Sequence, residues 1–338
     1  MTLQNTDLIL RPSVLISDTV PAQNGGRMAY PAIVSGVKNN VLPDATADDR
    51  LNGKTRWRKV FWHVASDTLT ALNTVRVYMD KLTQGDDYLL IQDVTATGTQ
   101  ATDADLAAMY GVGTLASNVS AGVTAITVTC EHADYATLLP FRVGMLLRIS
   151  NIPTGGGAGT EEFVTLTAVA ITGSAATLTF TGSPLANAYL ASNTIVSGVI
   201  TKSSVAGAFN SVVVTSAAGT LAHGTAGNLT VPSKGSVNDA WTLTFSNATT
   251  FAVSGAVTGA LAGTGTIGAD YLANNIATST PYFKILAAAW GGTFVSGNTV
   301  TVNTTQAALP LLIRQRIPAG SGSLAGNVGA IAIRGESA

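Results

Sequence analysis

Apolar and polar positions alternate with a period of two along most of this chain, the spacing that places side chains on opposite faces of a strand. Val60–Val64 and Val75–Met79 alternate most clearly, Tyr88–Ile91 closes that run, and Leu8–Leu10 and Val14–Ile16 predict shorter strands. Between them lies a long polar excursion. It is punctuated by Asn24-Gly25-Gly26, Pro31, Pro43 and Asn52-Gly53, all turn signals. Thr102–Tyr110 is the best helix candidate, with Thr102 or Asp103 as N-cap, Asp105 in the first turn and Gly111 as the stop.

From Thr114 the pattern becomes almost pure β. Val123–Thr129, Met145–Ile149, Phe163–Ala170 and Ala176–Phe180 form one block. A second block comprises Ser211–Thr215, Trp241–Phe245, Phe251–Val253, Tyr282–Leu286, Thr299–Asn303 and Leu311–Arg314. Short strands at this spacing predict sandwiches or small barrels. The strand texture recurs (AATLTF, AWTLTF, NTVTVN) without a fixed period, so a solenoid is excluded. The expected fold class is mainly β: a multi-domain β-sandwich or β-barrel architecture with one or two short helices.

Charge sharpens this picture. Residues 1–93 carry 20 of the 37 charged side chains, ten basic and ten acidic, and the sparse remainder places a boundary near residues 95–120. We therefore expect an N-terminal α+β assembly domain over 1–112, a β-barrel or sandwich insertion over 113–200, and a C-terminal β domain over 201–338. Packing of the last against the first is left open. Only 11% of residues are charged and the net charge is −1, which argues against a nucleic-acid binder working through a basic face. High apolar content argues against disorder, and the single Cys130 rules out a disulfide framework. The longest weakly polar stretches, Ala252–Leu261 and Ile285–Trp290, are too short for a membrane span. The opening MTLQNTDLIL lacks the basic region and the small-residue cleavage site of a secretory signal, so synthesis in the cytoplasm is expected.

Candidate chemistry is thin. His63, His132 and His223 are far apart in sequence, and only Glu131-His132-Ala133-Asp134 offers adjacent metal-ligating groups, which a strand exit turns toward solvent. Cys130 reads as a small buried hydrophobe. Gly263–Gly268 matches GxGxxG literally but lacks the preceding strand, the following helix and the distant acid of a dinucleotide site. Gly155–Thr160 lacks the Lys of a P-loop and reads as a hairpin tip. Glu161 and Glu162, as strand neighbours, face opposite sides and cannot form a glycosidase pair. No catalytic, cofactor-binding or metal residue is expected, nor a small-molecule substrate.

The one charge cluster is Lys54-Thr55-Arg56-Trp57-Arg58-Lys59. It could contact phosphate with Trp57 stacking. Its local charge is balanced, however, which favours a strand whose outward charges pair with Asp44, Asp48 and Asp49, within the chain or across a subunit interface rich in Arg and aromatics. The candidate interface residues are Arg50, Arg56, Arg58, Lys59, Asp44, Asp48 and Asp49, with Trp57 and Trp62 as anchors.

At these residues a resemblance enters. Gly25-Gly26-Arg27-Met28, Asn39-Asn40, Pro43-Asp44, Asp49-Arg50 with Gly53, and Arg58-Lys59-Val60-Phe61 together resemble a recurrent opening of virion structural proteins of tailed bacteriophages, Mu-like and related. Trp57 departs from it, standing where a smaller apolar residue is usual. The C-terminal block is similar too: Trp290, Gly297-Asn298-Thr299-Val300-Thr301, Pro310, Ile313-Arg314 and Ile317-Pro318-Ala319-Gly320. The resemblance spans roughly residues 15–90 and 280–320 and leaves the middle unmatched. It implies a tail or baseplate component with no catalytic residue to carry over. The expected function is a non-enzymatic structural protein of the phage tail, forming rings at the baseplate or tail tube. Its partners would be copies of itself and other virion tail proteins, and its place the virion. The alternatives are a capsid-decorating or neck protein, and a host-binding tail-tip module with Tyr271, Tyr282 and Trp290 on exposed loops.

Overall fold

The computed structural model describes residues 4–67, 71–130, 138 and 140–337. It is mainly β, with 45% strand and 8% helix. The chain opens with β1 (Leu8–Leu15) and β2 (Gly25–Met28), then a one-and-a-half-turn helix α1 (Ala47–Asn52). β3 (Lys54–Val64), β4 (Ala71–Lys81) and β5 (Tyr88–Asp93) follow, then α2 (Gln100–Asp103). Next come β6 (Val112–Leu115), β7 (Ala125–Thr129), β8 (Leu146–Ser150), β9 (Glu161–Thr165), β10 (Ala168–Thr172) and β11 (Ala175–Thr179). β12 (Ile195–Ala206) and β13 (Ala208–Thr215) lead to β14 (Asp239–Phe245) and β15 (Thr250–Gly255). The chain closes with β16 (Thr299–Thr305), β17 (Ala308–Ile317) and β18 (Ala330–Ser337).

Three sheets carry the architecture, and no barrel closes. A five-stranded sheet runs β2-β1-β3-β17-β5. A nine-stranded sheet runs β10-β11-β7-β6-β12-β4-β18, with β8 also on β12 and β9 on β8. A six-stranded sheet runs β13-β16-β14-β15 and ends in short strands at Gly259–Ala260 and Gly265–Thr266. Three apolar cores match this division. One lies among β7, β8, β11 and the start of β12, one between β3, β17 and β4, and one inside the six-stranded sheet around Trp241, Phe245 and Phe251.

β12 is the longest strand, and it decides how the sheets join. Its first half pairs β6 and β8, and its second half pairs β4, so Val196 serves one core while Ile200 and Val205 serve the next. The division expected between residues 200 and 201 therefore falls inside one continuous strand. The expected C-terminal domain also separates into two parts. Residues 208–305 hold the six-stranded sheet, whereas β17 and β18 return to the N-terminal strands. β17 alone sets ten residues against β3, from Ala308 opposite His63 to Ile317 opposite Lys54.

The helices differ from expectation. Thr102–Tyr110 is not one helix: α2 ends at Asp103, and Leu106–Ala108 forms a separate 3-10 turn started by the Asp105 carboxylate on the Ala107 amide. The break has a cause, because the Asp103 carbonyl accepts from Gln92 Nε2 at 2.7 Å and its carboxylate is drawn to Lys59. α1 lies within the stretch read as turns. Thr46 caps it, accepting from the Asp49 amide at 3.1 Å while the Asp49 carboxylate accepts from the Thr46 amide at 2.9 Å. Gly53 ends it at φ +76°, where a Cβ would also sit 3.0 Å from the Ala319 nitrogen.

Candidate functional site

The charged strand β3 is the place to look for function, and its alternation sorts its side chains. Arg56 and Arg58 lie on one face with Val60, and Trp57 and Lys59 lie on the other with Phe61. Arg56 Nη2 donates to Asp49 Oδ2 at 2.5 Å, and its Nε is 3.8 Å from Asp18. Arg58 Nη1 donates to Asp18 Oδ1 at 2.5 Å. The Arg58 hydrogen bond, followed by its charge and that of Arg56, holds the Asp18 carboxyl below the usual carboxylate range. Burial works against charge on Asp49, but the Thr46 amide and hydroxyl and the Arg56 guanidinium outweigh it, and its pKa is also lowered.

On the other face Lys59 is fully buried. Its Nζ donates to the Gly98 carbonyl at 2.7 Å and to Asp103 Oδ2 at 3.2 Å. Burial pulls the ammonium's pKa down, and Asp103 pulls it back in part. Gly98 makes room for the pair, since a Cβ there would collide with the Asp103 carboxylate.

Of the three acids expected to neutralise this strand, only Asp49 does so. Asp44 is exposed and accepts from Asn39, and Asp48 is exposed and accepts from Asn52 within α1. Asp18 and Asp103 take the other charges, 40 and 44 residues from their partners, and no spacing rule points to either. Arg56, Arg58, Lys59 and Asp49 are thus buried in intrachain pairs rather than presented at the surface. Arg50 is half-buried and donates to the Ala45 carbonyl. Trp57 and Trp62 are half-buried, and the guanidinium of Arg314 lies 5.8 Å from the Trp57 ring.

The remaining candidates are likewise occupied. Tyr271 packs on Phe251 at 5.2 Å, Tyr282 on Trp241 at 5.0 Å and Trp290 on Phe251 at 5.3 Å, so these aromatics build a core instead of standing on exposed loops. Burial pushes the Tyr271 phenol up to about 12. Glu161 and Glu162 do face apart. Glu161 pairs with the buried Arg148 and with Arg334 on β18, while Glu162 accepts from the amides of Ala186 and Asn187 and from the Tyr189 hydroxyl. Arg148 also reaches Asp80 at 3.0 Å and stacks 4.3 Å from the Tyr78 ring centre.

His63 is buried between two modules. An arginine can only donate, so Nδ1 accepts from Arg11 Nε at 3.0 Å and Nε2 donates to the Ser233 carbonyl at 3.0 Å. Burial, with Arg11 adding to it against the Ser233 carbonyl, brings its pKa down to about 4. His223 is exposed and Cys130 is buried in an apolar core. Glu131, His132 and Asp134 lie outside the described residues. Gly155–Thr160 joins β8 to β9, and Gly265-Thr266 pairs with Thr250-Phe251 without a following helix.

Two clefts remain. One of about 100 Å³ lies at Asp18, Trp57 and Gln100, and one of about 320 Å³ lies along Phe209–Val212 with His223 and Leu229. Among the described residues no three His, Cys, Asp or Glu side chains converge as metal ligands, and no helix is long and apolar enough to cross a membrane. The arrangement on β3 is one of charges paired within the chain. No family model matches the chain, and no curated protein or solved structure matches it either.

Proposed function

We propose that this chain is a non-enzymatic structural protein of a phage tail, which assembles with copies of itself into rings at the baseplate or tail tube of the virion. The observation that supports this reading is the β3–β17 ladder. The two stretches that carry the phage resemblance, about 190 residues apart or more, meet along it: Arg58 opposite Ile313, Phe61 opposite Pro310, and Lys54 opposite Ile317. Of the C-terminal stretch, Pro310, Ile313-Arg314 and Ile317 join this ladder, with Gly53 and Arg50 set against Ala319 and Gly320 at its end, whereas Trp290 and Thr299–Thr301 belong to the six-stranded sheet and its core. Buried ion pairs at Arg56, Lys59 and Arg148 fix the geometry of such a scaffold without leaving reactive groups free.

The test is negative-stain electron microscopy of the purified protein, with its mass measured by light scattering. Rings or tubes with a central lumen are the expected result. A chain that stays monomeric at all concentrations would sink the self-assembling reading.

A further inference from the structure

The sheets leave outer strands at their ends, three of them (β9, β10 and β18) in the branched nine-stranded sheet, and the chain treats these edges differently: β9 carries Glu161 and Glu162. An unpaired strand edge is a template for another strand, and proteins blunt it with charge, proline, shortness or a cover. β2 is four residues long, and its Gly25 is bridged to Thr99. β5 is met by Tyr110 at Ile91. β18 carries Arg334 and Glu336, and the far side of β15 ends in two-residue strands. β10 and β13 have none of these protections along their regular length. β10 pairs only β11, β13 pairs only β16, and neither has a ladder partner on its outer side among the described residues.

Both strands are also neutral. β10 reads AVAIT with Ala168, Ala170 and Thr172 exposed, and β13 reads AFNSVVVT with Val213 56% exposed. They lie in one unusual stretch: from Phe163 to Ser233 the only side chains among Asp, Glu, Lys, Arg and His are Lys202 and His223. β13 is irregular only between Phe209 and Ser211, where its ladder shifts register, and the 320 Å³ cleft leaves space beside it there.

We propose that copies of this chain join head to tail, the outer edge of β10 in one copy pairing with the outer edge of β13 in the next. The inference rests on the self-assembling reading above and names the surfaces that carry it. Neutral edges match each other: neither strand brings a charge that would have to be desolvated or opposed, and neither attracts a charged partner. Pairing only one of the two edges with its own kind closes a two-fold dimer and leaves the other edge bare. Pairing unlike edges covers both in every copy, and such a heterologous contact repeats into a ring or filament.

Two double variants test this, with lysines only at exposed positions: Ala168→Lys with Ala170→Lys on β10, and Ser211→Lys with Val213→Lys on β13. Circular dichroism checks that each stays folded, and light scattering reads the mass. The native chain is expected as closed multimers, and each variant alone as a monomer. An equal mixture should give dimers and nothing larger, because each variant keeps the one edge its partner lacks. If one variant is monomeric while the other still dimerises, like pairs with like and the proposal fails. If native rings form and both variants also form them, this pairing is wrong while the ring-forming reading survives. A native chain that never leaves the monomer overturns both.

Discussion

The sheet built on β3 and the six-stranded sheet that ends in β13 solve the same problem by opposite means. In the first, three interior cations are each held by a carboxylate brought from elsewhere in the chain: Arg56 by Asp49, Arg58 by Asp18 and Lys59 by Asp103. In the other, stacked aromatics and β-branched residues fill the interior, and Phe245 lies face to face with Phe294 at 4.0 Å. Ion pairs have direction and lock one register, whereas apolar packing tolerates rearrangement and leaves edges neutral. The charged sheet therefore suits a rigid frame, and the neutral edges suit contact.

That contrast can be broken at several points. The largest effect is expected in the neutral region, where Trp241→Ala removes a fully buried indole and its hydrogen bond to Thr304. Chemical denaturation should read a loss of about 4 kcal/mol, unaltered by salt. In the charged sheet, Asp103→Ala leaves the Lys59 ammonium buried without its carboxylate and should cost about 3 kcal/mol. Adding Lys59→Met to it should recover much of that loss. If the double change is no better than the single one, the pair is not what holds α2 against β3.

Acid should separate the regions further. His63 has a folded pKa of about 4, against an ordinary value of 6.5. The unfolded chain therefore binds a proton first as pH falls. The stability tied to neutral His63 is complete above about pH 6.5 and is lost progressively toward pH 4, amounting to about 3 kcal/mol. His63→Gln should flatten that segment of the pH profile, and an unchanged profile would refute the assignment. Smaller still, Thr46→Ala removes the α1 cap and should cost about 1 kcal/mol. At the bottom of the scale, Asp44→Asn on the exposed rim should move stability by less than about 0.5 kcal/mol.

Much of the strand inventory was legible, because period-two alternation and Gly/Pro punctuation act locally. β3, β4, β5, β7, β11, β14 and β16 lie where alternation predicts them. β12 and β18 were not legible. Ser-Gly-Val-Ile-Thr-Lys-Ser-Ser changes partners midway, so its burial follows two sheets and shows no single period. Arg-Gly-Glu in β18 looks like a tail until β4 provides its ladder. The charge cluster was visible, but only Asp49 of its partners was, since Asp18 reaches it from a loop and Asp103 from the end of α2, 40 and 44 residues away. Tyr271, Tyr282 and Trp290 stood on exposed loops only under the tail-tip alternative, and packing stacks them in a core.

By itself, then, the sequence determined a β-rich chain with charge gathered at one end, a neutral middle, and no constellation of catalytic or metal-binding residues by spacing. These follow from composition and from periodicities that a few neighbouring residues express. Tertiary structure alone decided that β17 returns across the chain to β3, that β12 joins two cores, which carboxylate meets which cation, and which strands stand at the edges. Those outcomes depend on residues far apart in sequence competing for the same ladder or charge, and no local pattern records the winner.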